Sequence, residues 1–363
     1  MSILAKRAAA VDGDCEGEEE GEKTPPPPPP PRLSLNSYEM VVAENVIDPE
    51  KIAVSFSDIG GVDKHKSEIY ELVVLPLLRP DLFRKGNVQM TKGILLYGKP
   101  GTGKTMMAKA IAAESHAVFI NVKLSVIMNK YFGESNKMVA AVFSIAAKLA
   151  PSIIFIDEID TFLQQRDGDE SALGSMKSEF LTMWDGINGD GEGEGMVMVL
   201  GATNRPYDVD SAILRRLPRT FEIGLPDEPG RLDILQKMTK DDKMANSSDS
   251  FLPTVAARTA GFSGSDLKEL VRTAKMEPIR EVAGEFSKAA VGLSSGKGGV
   301  SAKLPRKGHK IRPVNKGDWE MALGKVQKTG EAAAAYKDKD RKRRALSQEE
   351  MMMMMMQAMQ QQR

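Results

Sequence analysis

The stretch Gly98-Lys99-Pro100-Gly101-Thr102-Gly103-Lys104-Thr105 follows a short apolar run, Ile94 to Tyr97, and opens a segment with helical periodicity, Lys104 to Ser115. The pattern G-x-x-x-x-G-K-[ST] between a strand and a helix is typical of a phosphate-binding loop. Its glycines let the backbone pass close to an anion, and its amide N–H groups and the helix N-terminus supply positive potential. We therefore predict that Gly98 to Thr105 bind nucleotide phosphates, with Lys104 reaching the β- and γ-phosphates and Thr105 binding Mg²⁺.

Short apolar runs alternate with helical segments on both sides of this loop. Strands that are apolar on both faces are typical of a parallel sheet covered by helices. The pattern therefore predicts an α/β domain of the nucleotide-binding type, with a five-stranded parallel sheet between helices. The predicted strands are Ile94–Tyr97, Val118–Val122, Ile153–Ile156, Met196–Leu200 and Phe221–Ile223, and the predicted helices between them are Lys104–Ser115, Glu134–Leu149 and Ser175–Asp185.

Two adjacent carboxylates, Asp157 and Glu158, end the third predicted strand. At the carboxyl edge of a parallel sheet they would lie beside the phosphate loop. We predict that Asp157 holds Mg²⁺ and that Glu158 polarises the water that attacks the γ-phosphate. An Asp-Glu pair in a solvated turn is the alternative. Asn204 ends the next strand and is predicted to position the same water.

An arginine-rich segment follows, Leu214-Arg215-Arg216-Leu217-Pro218-Arg219. Asp210 and Glu222 are the carboxylates near it in sequence, too few to pair three arginines, so at least one arginine is predicted to be free for an external anion. An arginine finger stabilises charge on a transferring phosphoryl group and is typically worth about 10³ to 10⁵ in rate. The arginine segment lies far from the phosphate loop in sequence, which suggests that its arginines act on the nucleotide of a neighbouring subunit. The alternative is that these arginines only make the surface soluble.

The composition restricts the other function classes. The 363 residues include 50 basic and 50 acidic side chains, so no global field recruits nucleic acid, and no nucleic-acid partner is expected. The single cysteine, Cys15, and three scattered histidines give no zinc-ligand spacing. A transmembrane helix needs about 20 mostly apolar residues, and no such run is present in the sequence.

Shifts in composition divide the chain into four parts. Residues 1–37 are predicted to be a disordered acidic and proline-rich leader, and residues 336–363 a charged tail rich in Met and Gln. Residues 38–226 hold the α/β domain. Residues 227–335 read as a helical subdomain with a disordered insertion at about 292–312. The predicted helices there are Glu228–Met238, Leu252–Ala260, Ser265–Val282 and Lys316–Val326.

These motifs together resemble those of an AAA ATPase of the meiotic clade. The motifs are GKPGTGKT, IIFIDEID, GATNRP and LRRLPR, with SFSDIGG at 55–61 before them and GFSGSDL at 261–267 after them. The resemblance covers about residues 45 to 335. Within the clade the chain is most similar to the mitochondrial and peroxisomal AAA translocases that extract mislocalised tail-anchored membrane proteins.

The resemblance implies further site residues and partners. ATP and Mg²⁺ would be the cofactors, and a homo-hexamer the working assembly. Arg215 and Arg216 would be fingers presented to the next subunit, and Asn204 would be sensor 1. Further assignments by resemblance are the adenine-facing Asp58, Ile59 and Gly60, the lid residues Gly264 and Ser265, and the pore-loop residues Tyr131, Phe132 and Gly133.

The resemblance also implies a substrate and a location. Tyr131 and Phe132 would bind an extended polypeptide, such as a tail-anchored membrane protein, by sequence-tolerant aromatic contact, and a second pore loop is expected within Gln164 to Ser171. The mitochondrial outer membrane or peroxisome would be the location. Residues 1–50 contain no transmembrane segment, so the cytoplasm is the alternative. The competing functions are a severing or disassembly ATPase of the katanin or spastin kind, and a nucleotide-gated scaffold without turnover.

Overall fold

The computed structural model describes residues 34–85, 91–123, 134–161, 170–186, 196–240, 251–292 and 311–328. These residues form two compact units that divide between Gly224 and Leu225. Residues 1–33 of the predicted leader, the Met- and Gln-rich tail and most of the predicted 292–312 insertion lie outside the described residues, whereas the last leader residues, Asn36 and Ser37, cap and begin the first helix.

The first unit is built on a six-stranded sheet in the order β1-β3-β4-β5-β2-β6. Five strands run parallel, which confirms the predicted sheet. The short β1 adds an antiparallel edge through Val46 opposite Ile120, and the sequence analysis missed it. The strands are β1 Val46–Ile47, β2 Gly93–Tyr97, β3 Val118–Val122, β4 Ser152–Ile156, β5 Val197–Thr203 and β6 Arg219–Glu222.

Helices cover both faces of this sheet, because each central strand is apolar on both sides. Alternate residues of β2 belong to two different buried clusters: Leu95 packs in one, and Ile94 and Leu96 pack in the other. The helices are α1 Ser37–Ala43, α2 Asp63–Ile69, α3 Leu75–Leu78, α4 Pro80–Lys85, α5 Lys104–Glu114, α6 Ser135–Lys148, α7 Glu170–Gly186 and α8 Ser211–Leu214. A π-helical turn, Tyr70–Val74, joins α2 to α3.

Helix α1 is fastened to α6 by a buried carboxylate. Glu39 is 1% exposed. It accepts hydrogen bonds from Ser144 Oγ at 2.6 Å and Lys148 Nζ at 2.7 Å. Its side chain also caps its own helix, where Asn36 N–H donates to it at 2.8 Å. At the other end of α6, the Tyr38 hydroxyl donates to Glu134 Oε1 at 3.2 Å.

The second unit is helical, as predicted. Its helices are α9 Glu228–Thr239, α10 Leu252–Arg258, α11 Gly264–Gly292 and α12 Lys316–Lys325. They enclose a separate apolar core that includes Leu235, Leu270 and Trp319. Helix α11 is ten residues longer than the predicted Ser265–Val282 segment at its C-terminal end.

Arg312, the second residue of the described range 311–328, connects α11 to α12. The Arg312 guanidinium donates to Glu281 Oε2 at 2.7 Å and to both carboxylate oxygens of Asp318, at 2.6 and 2.8 Å. The two carboxylates raise the pKa of Arg312, and Arg312 in turn helps to lower theirs. Arg312 was assigned to a disordered insertion from its sequence context, whereas it belongs to this ordered ion-pair cluster.

None of the helices in the described ranges is both long enough and apolar enough to cross a bilayer. Within the same ranges, His, Cys, Asp and Glu side chains form no group of three or more that would hold a metal ion by themselves.

Candidate active site

The loop Gly98–Gly103 joins β2 to α5 and turns sharply on three glycines with positive φ. These φ values are 151° at Gly98, 77° at Gly101 and 98° at Gly103, which L side chains rarely adopt. Gly98 is also crowded, because a Cβ atom there would lie 2.2 Å from the Ile223 carbonyl oxygen. The glycines therefore allow the loop to turn sharply, and they leave its backbone without side chains at these three positions.

Lys104 begins α5 and folds back over this loop. Its Nζ donates to the carbonyl oxygens of Gly98 at 3.0 Å and Lys99 at 2.9 Å, and the residue is 7% exposed. Burial lowers the pKa of Lys104, and the charge of Asp157 partly opposes that effect. The ammonium group thus lies inside the loop, on the same side as the acidic end of β4.

Thr105 and Asp157 connect the phosphate loop to the end of β4. The Thr105 hydroxyl donates to Asp157 Oδ2 at 2.9 Å, across 52 residues of sequence. A hydroxyl and a carboxylate side by side are oxygen ligands of the kind that Mg²⁺ prefers. The predicted pair of magnesium-binding residues is therefore brought together.

Glu158 follows Asp157 in a left-handed backbone conformation, with φ of 52°. Three hydrogen bonds surround this turn: Glu158 N–H donates to Asp157 Oδ1 at 3.0 Å, Thr161 N–H to Glu158 O at 2.8 Å and Ile159 N–H to Ala202 O at 3.0 Å. The Glu158 side chain is exposed at the carboxyl edge of the sheet. Its placement suits a base that acts on water near a bound phosphate.

Asn204 comes directly after β5, the strand between β2 and β4. Thr203 pairs with Tyr97 of β2, and Gly201 pairs with Ile156 of β4. The exposed Asn204 thus follows the strand that separates the phosphate loop from Asp157. This order of strands explains how residues more than 90 positions apart meet at one edge.

The two predicted finger arginines differ in their surroundings. Arg216 forms an ion pair with Asp185 at the end of α7, with Nε to Oδ1 at 2.7 Å, and its Nη1 donates to Ala212 O at 2.8 Å. The hydrogen bond to Asp185 raises the pKa of Arg216. Arg215 is exposed and forms no ion pair or side-chain hydrogen bond with any residue that the structure describes.

Arg216 therefore has a carboxylate partner that nearness in sequence does not indicate. Asp185 lies 31 residues away, whereas the nearer Asp210 pairs with Lys177. The conclusion that one arginine remains without an intramolecular carboxylate holds for Arg215 among the described residues.

The residues assigned to adenine by resemblance lie in two different units. Asp58 ends a 3₁₀ turn, Phe56–Asp58, and its carboxylate accepts from Ser55 N–H at 2.8 Å. Ile59 is 7% exposed and belongs to the core cluster under α5, and Gly60 follows it. In the second unit, Gly264 and Ser265 begin α11, beside the buried capping pair Ser263 and Asp266.

The predicted pore-loop residues Tyr131, Phe132 and Gly133 lie outside the described residues. Most of the second predicted pore loop, Gln164 to Ser171, lies outside them as well. The described helix α6 begins two residues after Gly133, at Ser135.

These residues fit a magnesium nucleotide. The loop turns on glycines with positive φ, Lys104 supplies a buried cation on the loop, and Thr105 and Asp157 supply paired oxygen ligands. A bound ATP would bring the γ-phosphoryl group and its magnesium between the phosphate loop and the end of β4. The predicted roles of Lys104, Thr105 and Asp157 are consistent with this arrangement.

Two polar residues beside the site escaped the sequence analysis. Asp160 and Thr203 are buried and hydrogen-bonded to each other at 2.7 Å. A polar residue at the carboxyl end of each of two neighbouring apolar strands indicates that the two side chains could meet. The adjacent Asp157-Glu158 pair fits a known motif, and Asp160 and Thr203 were therefore overlooked.

Comparison with known proteins identifies the family. The model of the ATPase family associated with various cellular activities (AAA) matches residues 94–225, and that of the AAA+ lid domain matches residues 249–289. The outer mitochondrial transmembrane helix translocase of Homo sapiens is 40% identical over 320 residues, which cover 88% of this chain and 83% of that protein. The spastin homolog of Caenorhabditis elegans is 38% identical over 81% of this chain and 54% of its own length.

Solved structures show the same fold. The AAA domain of FIGL-1 superposes with a TM-score of 0.66 at 32% identity and covers 85% of this chain and 96% of its own. A structure that addresses katanin self-assembly superposes with a TM-score of 0.63 at 33% identity, covering 82% and 93% respectively. By its sequence, its fold and its phosphate loop, this chain belongs to the AAA ATPase family.

Proposed function

We propose that this AAA ATPase is a protein translocase that hydrolyses ATP and threads polypeptides through the central pore of a homo-hexamer. The observation that carries the hydrolytic part is the hydrogen bond from the Thr105 hydroxyl to Asp157, the residue that directly precedes Glu158. The translocation part rests on the resemblance to the outer mitochondrial transmembrane helix translocases.

Each site residue has one task in this proposal. Lys104 leaves the carbonyl oxygens of Gly98 and Lys99 and turns to the β- and γ-phosphates. Thr105 and Asp157 hold the magnesium ion, directly or through its water shell. Glu158 accepts a proton from the attacking water, and Asn204 orients that water.

The arginines complete the site between subunits. Arg215 is the first candidate for a finger to the γ-phosphate of a neighbouring copy, because it is exposed and has no described intramolecular partner. Arg216 is the second candidate, because it is paired with Asp185 of its own chain. A site that needs an arginine from the next copy is active only in the assembly, so turnover would depend on protein concentration.

The substrate would be an extended polypeptide gripped by Tyr131 and Phe132. The names of the relatives favour a membrane protein helix as substrate and the mitochondrial outer membrane as location. Cytoplasmic action is the alternative location. The likeness to spastin, FIGL-1 and katanin supports a second candidate, a severing or disassembly ATPase that remodels filaments.

The test uses Glu158→Gln, which should bind ATP without hydrolysing it and so hold substrate. Polypeptides that co-purify with E158Q in ATP would be identified by mass spectrometry. The matched control is E158Q combined with Tyr131→Ala and Phe132→Ala, which should lose them. Single-span membrane proteins in the first sample alone would support extraction.

Other outcomes contradict parts of the proposal. Recovery of tubulin or filament subunits would favour the severing function. Equal recovery with and without Tyr131 and Phe132 would refute the pore assignment. A wild-type chain with no phosphate release at saturating magnesium ATP would refute hydrolysis and favour the scaffold function.

A further inference from the structure

The carboxylate of Asp160 is buried two residues after Glu158, and it faces a hydroxyl on the neighbouring strand. Asp160 is 7% exposed and Thr203 is 1% exposed, and Thr203 Oγ1 donates to Asp160 Oδ1 at 2.7 Å. A buried carboxylate is costly unless it is paired or hydrogen-bonded. Among the described residues no lysine, arginine or histidine forms an ion pair with Asp160, so the Thr203 hydroxyl is its identified side-chain partner.

The Thr203 hydroxyl makes a second hydrogen bond, and this one encloses Asn204. It accepts from the backbone N–H of Arg205 at 2.8 Å. Thr203 and Arg205 are the residues immediately before and after Asn204. The hydroxyl therefore contacts the backbone just after the predicted sensor residue, and its donated hydrogen bond connects it to Asp160.

The same pair continues the ladder between β4 and β5 beyond the last strand residues. Ile156 pairs with Gly201, and Ile159 N–H then donates to Ala202 O at 3.0 Å. The next contact between the two segments, after Ile159 with Ala202, is the side-chain hydrogen bond from Thr203 to Asp160. Glu158 lies between these hydrogen bonds, in a left-handed conformation that a residue other than glycine keeps only when its surroundings hold it there.

We propose that Asp160 and Thr203 are positioning residues that hold the backbones of Glu158 and Asn204 in register for ATP hydrolysis. This inference rests on the proposed hydrolytic function. Neither side chain needs to touch the nucleotide. Both act through the two residues beside them, and the interaction that matters is the hydrogen bond from hydroxyl to carboxylate oxygen.

The experiment compares Thr203→Val with Thr203→Ser in the full chain. Valine keeps the shape and removes the hydroxyl, whereas serine keeps the hydroxyl. Steady-state hydrolysis would be measured against ATP concentration, and nucleotide affinity separately with a fluorescent ATP analogue. We expect T203V to lower kcat by roughly ten- to a hundredfold, with KM and nucleotide affinity within about twofold of the wild type. T203S should recover kcat to within about threefold of the wild type.

A second variant guards against misfolding of T203V. Asp160→Asn keeps an oxygen that accepts from Thr203 while removing the charge, so it should retain kcat within about fivefold. Thermal melts would establish that each variant is folded. A folded D160N as inactive as T203V would show that the charge matters and overturn the inference.

The remaining outcomes separate the inference from the function on which it rests. A folded T203V with wild-type kcat, or a T203S as impaired as T203V, overturns the inference alone. A parallel rise in KM and loss of nucleotide affinity would show that Thr203 serves binding, which also overturns it. A wild-type chain without turnover refutes the hydrolytic function and the inference together.

Discussion

The Thr105 hydroxyl donates a 2.9 Å hydrogen bond to Asp157 Oδ2, which joins the first turn of α5 to the end of β4. Thr105→Val should lose both this bond and a magnesium ligand, and we expect hydrolysis to fall by roughly tenfold or more. Thr105→Ser keeps the hydroxyl and should remain near the wild type. Phosphate release measured over a range of magnesium concentrations checks this. Equal activity of T105V and T105S would contradict the assigned role.

Gly98 is predicted to be less replaceable than Gly103. Both have positive φ, but a Cβ at Gly98 would lie 2.2 Å from Ile223 O, whereas one at Gly103 meets nothing within 4 Å. Gly103→Ala should therefore cost about 1–3 kcal/mol from backbone strain. Gly98→Ala should cost a further 1–3 kcal/mol, roughly, from overpacking. Urea unfolding of the two variants measures the difference, and equal costs would be the contrary result.

Replacement of Arg216 should lower the stability of the folded chain, whereas replacement of Arg215 should not. Arg216→Ala removes the pair with Asp185 and the bond to Ala212 O, and we expect a loss of about 1 kcal/mol in unfolding free energy. Arg215→Ala removes no described contact and should leave the melting temperature unchanged. If Arg215 is a finger, R215A should nevertheless lower hydrolysis by roughly 10³ or more. Normal hydrolysis by a folded R215A would exclude that role.

The pair formed by Glu39 and Lys148 should make stability depend on pH. Burial alone would raise the pKa of Glu39, but hydrogen bonds from Lys148, Ser144 and Asn36 outweigh burial and lower it below the usual 4.5. A lowered pKa means that this stabilisation is complete above the unfolded-state pKa and is lost as the pH falls through the folded-state value.

Glu39→Gln should therefore destabilise the chain by about 1–3 kcal/mol at pH 7, and the difference from wild type should shrink below about pH 4. Urea unfolding between pH 7 and pH 3.5 measures it. Glu44→Gln is the matched control, because Glu44 is exposed at the end of the same helix. A destabilisation by E39Q that does not change with pH would mean that packing, and not charge, fixes α1.

Arg312 should stabilise the second unit in particular. Arg312→Ala leaves the buried Asp318 without its cation and should cost that unit roughly 1–3 kcal/mol. Arg312→Lys should cost nearly as much, because one ammonium group cannot reproduce the guanidinium fork between Glu281 and Asp318.

The two tryptophans allow each unit to be followed separately. Trp184 lies in the first unit and Trp319 in the second, and both are 1% exposed. Neither indole N–H has a hydrogen-bond partner in the described parts of the chain, so replacement by Phe breaks no such bond. In a Trp184→Phe background, R312A should lower the unfolding midpoint seen by Trp319 fluorescence. In a Trp319→Phe background the Trp184 midpoint should not change.

Local patterns predicted most of the fold. The five parallel strands could be recognised because buried strands such as β4 are apolar on both faces. The phosphate loop could be recognised because its glycine pattern lies between a strand and a helix, and these glycines do adopt positive φ. The edge strand β1 is two residues long and is defined by its partner β3, so no periodicity marks it. The C-terminal part of α11 was also missed, because Ala283 and Gly284 follow Val282 and glycine is unfavourable inside a helix.

The site was predictable where a sequence motif marks the residues, as at Thr105 and Asp157, and unpredictable where the partners belong to no shared motif. Asp157 and Glu158 adjoin a single apolar run. The partner of Arg216, in contrast, is Asp185 on α7, and the partner of Asp160 is Thr203 on β5. Such pairs depend on strand order and helix packing, which sequence spacing does not reveal.

The hydrogen bonds between Glu39 of α1 and α6 limit how far the chain can be shortened at its N-terminal side. The AAA family model starts at residue 94, yet Val42 on α1 lies in one core cluster and Val73 near α3 lies in the other. A chain cut at residue 94 would uncover apolar surface on both sides of the sheet and would remove β1 from the edge of β3. The smallest fragment that folds should therefore begin at or before Asn36, about sixty residues ahead of the family boundary.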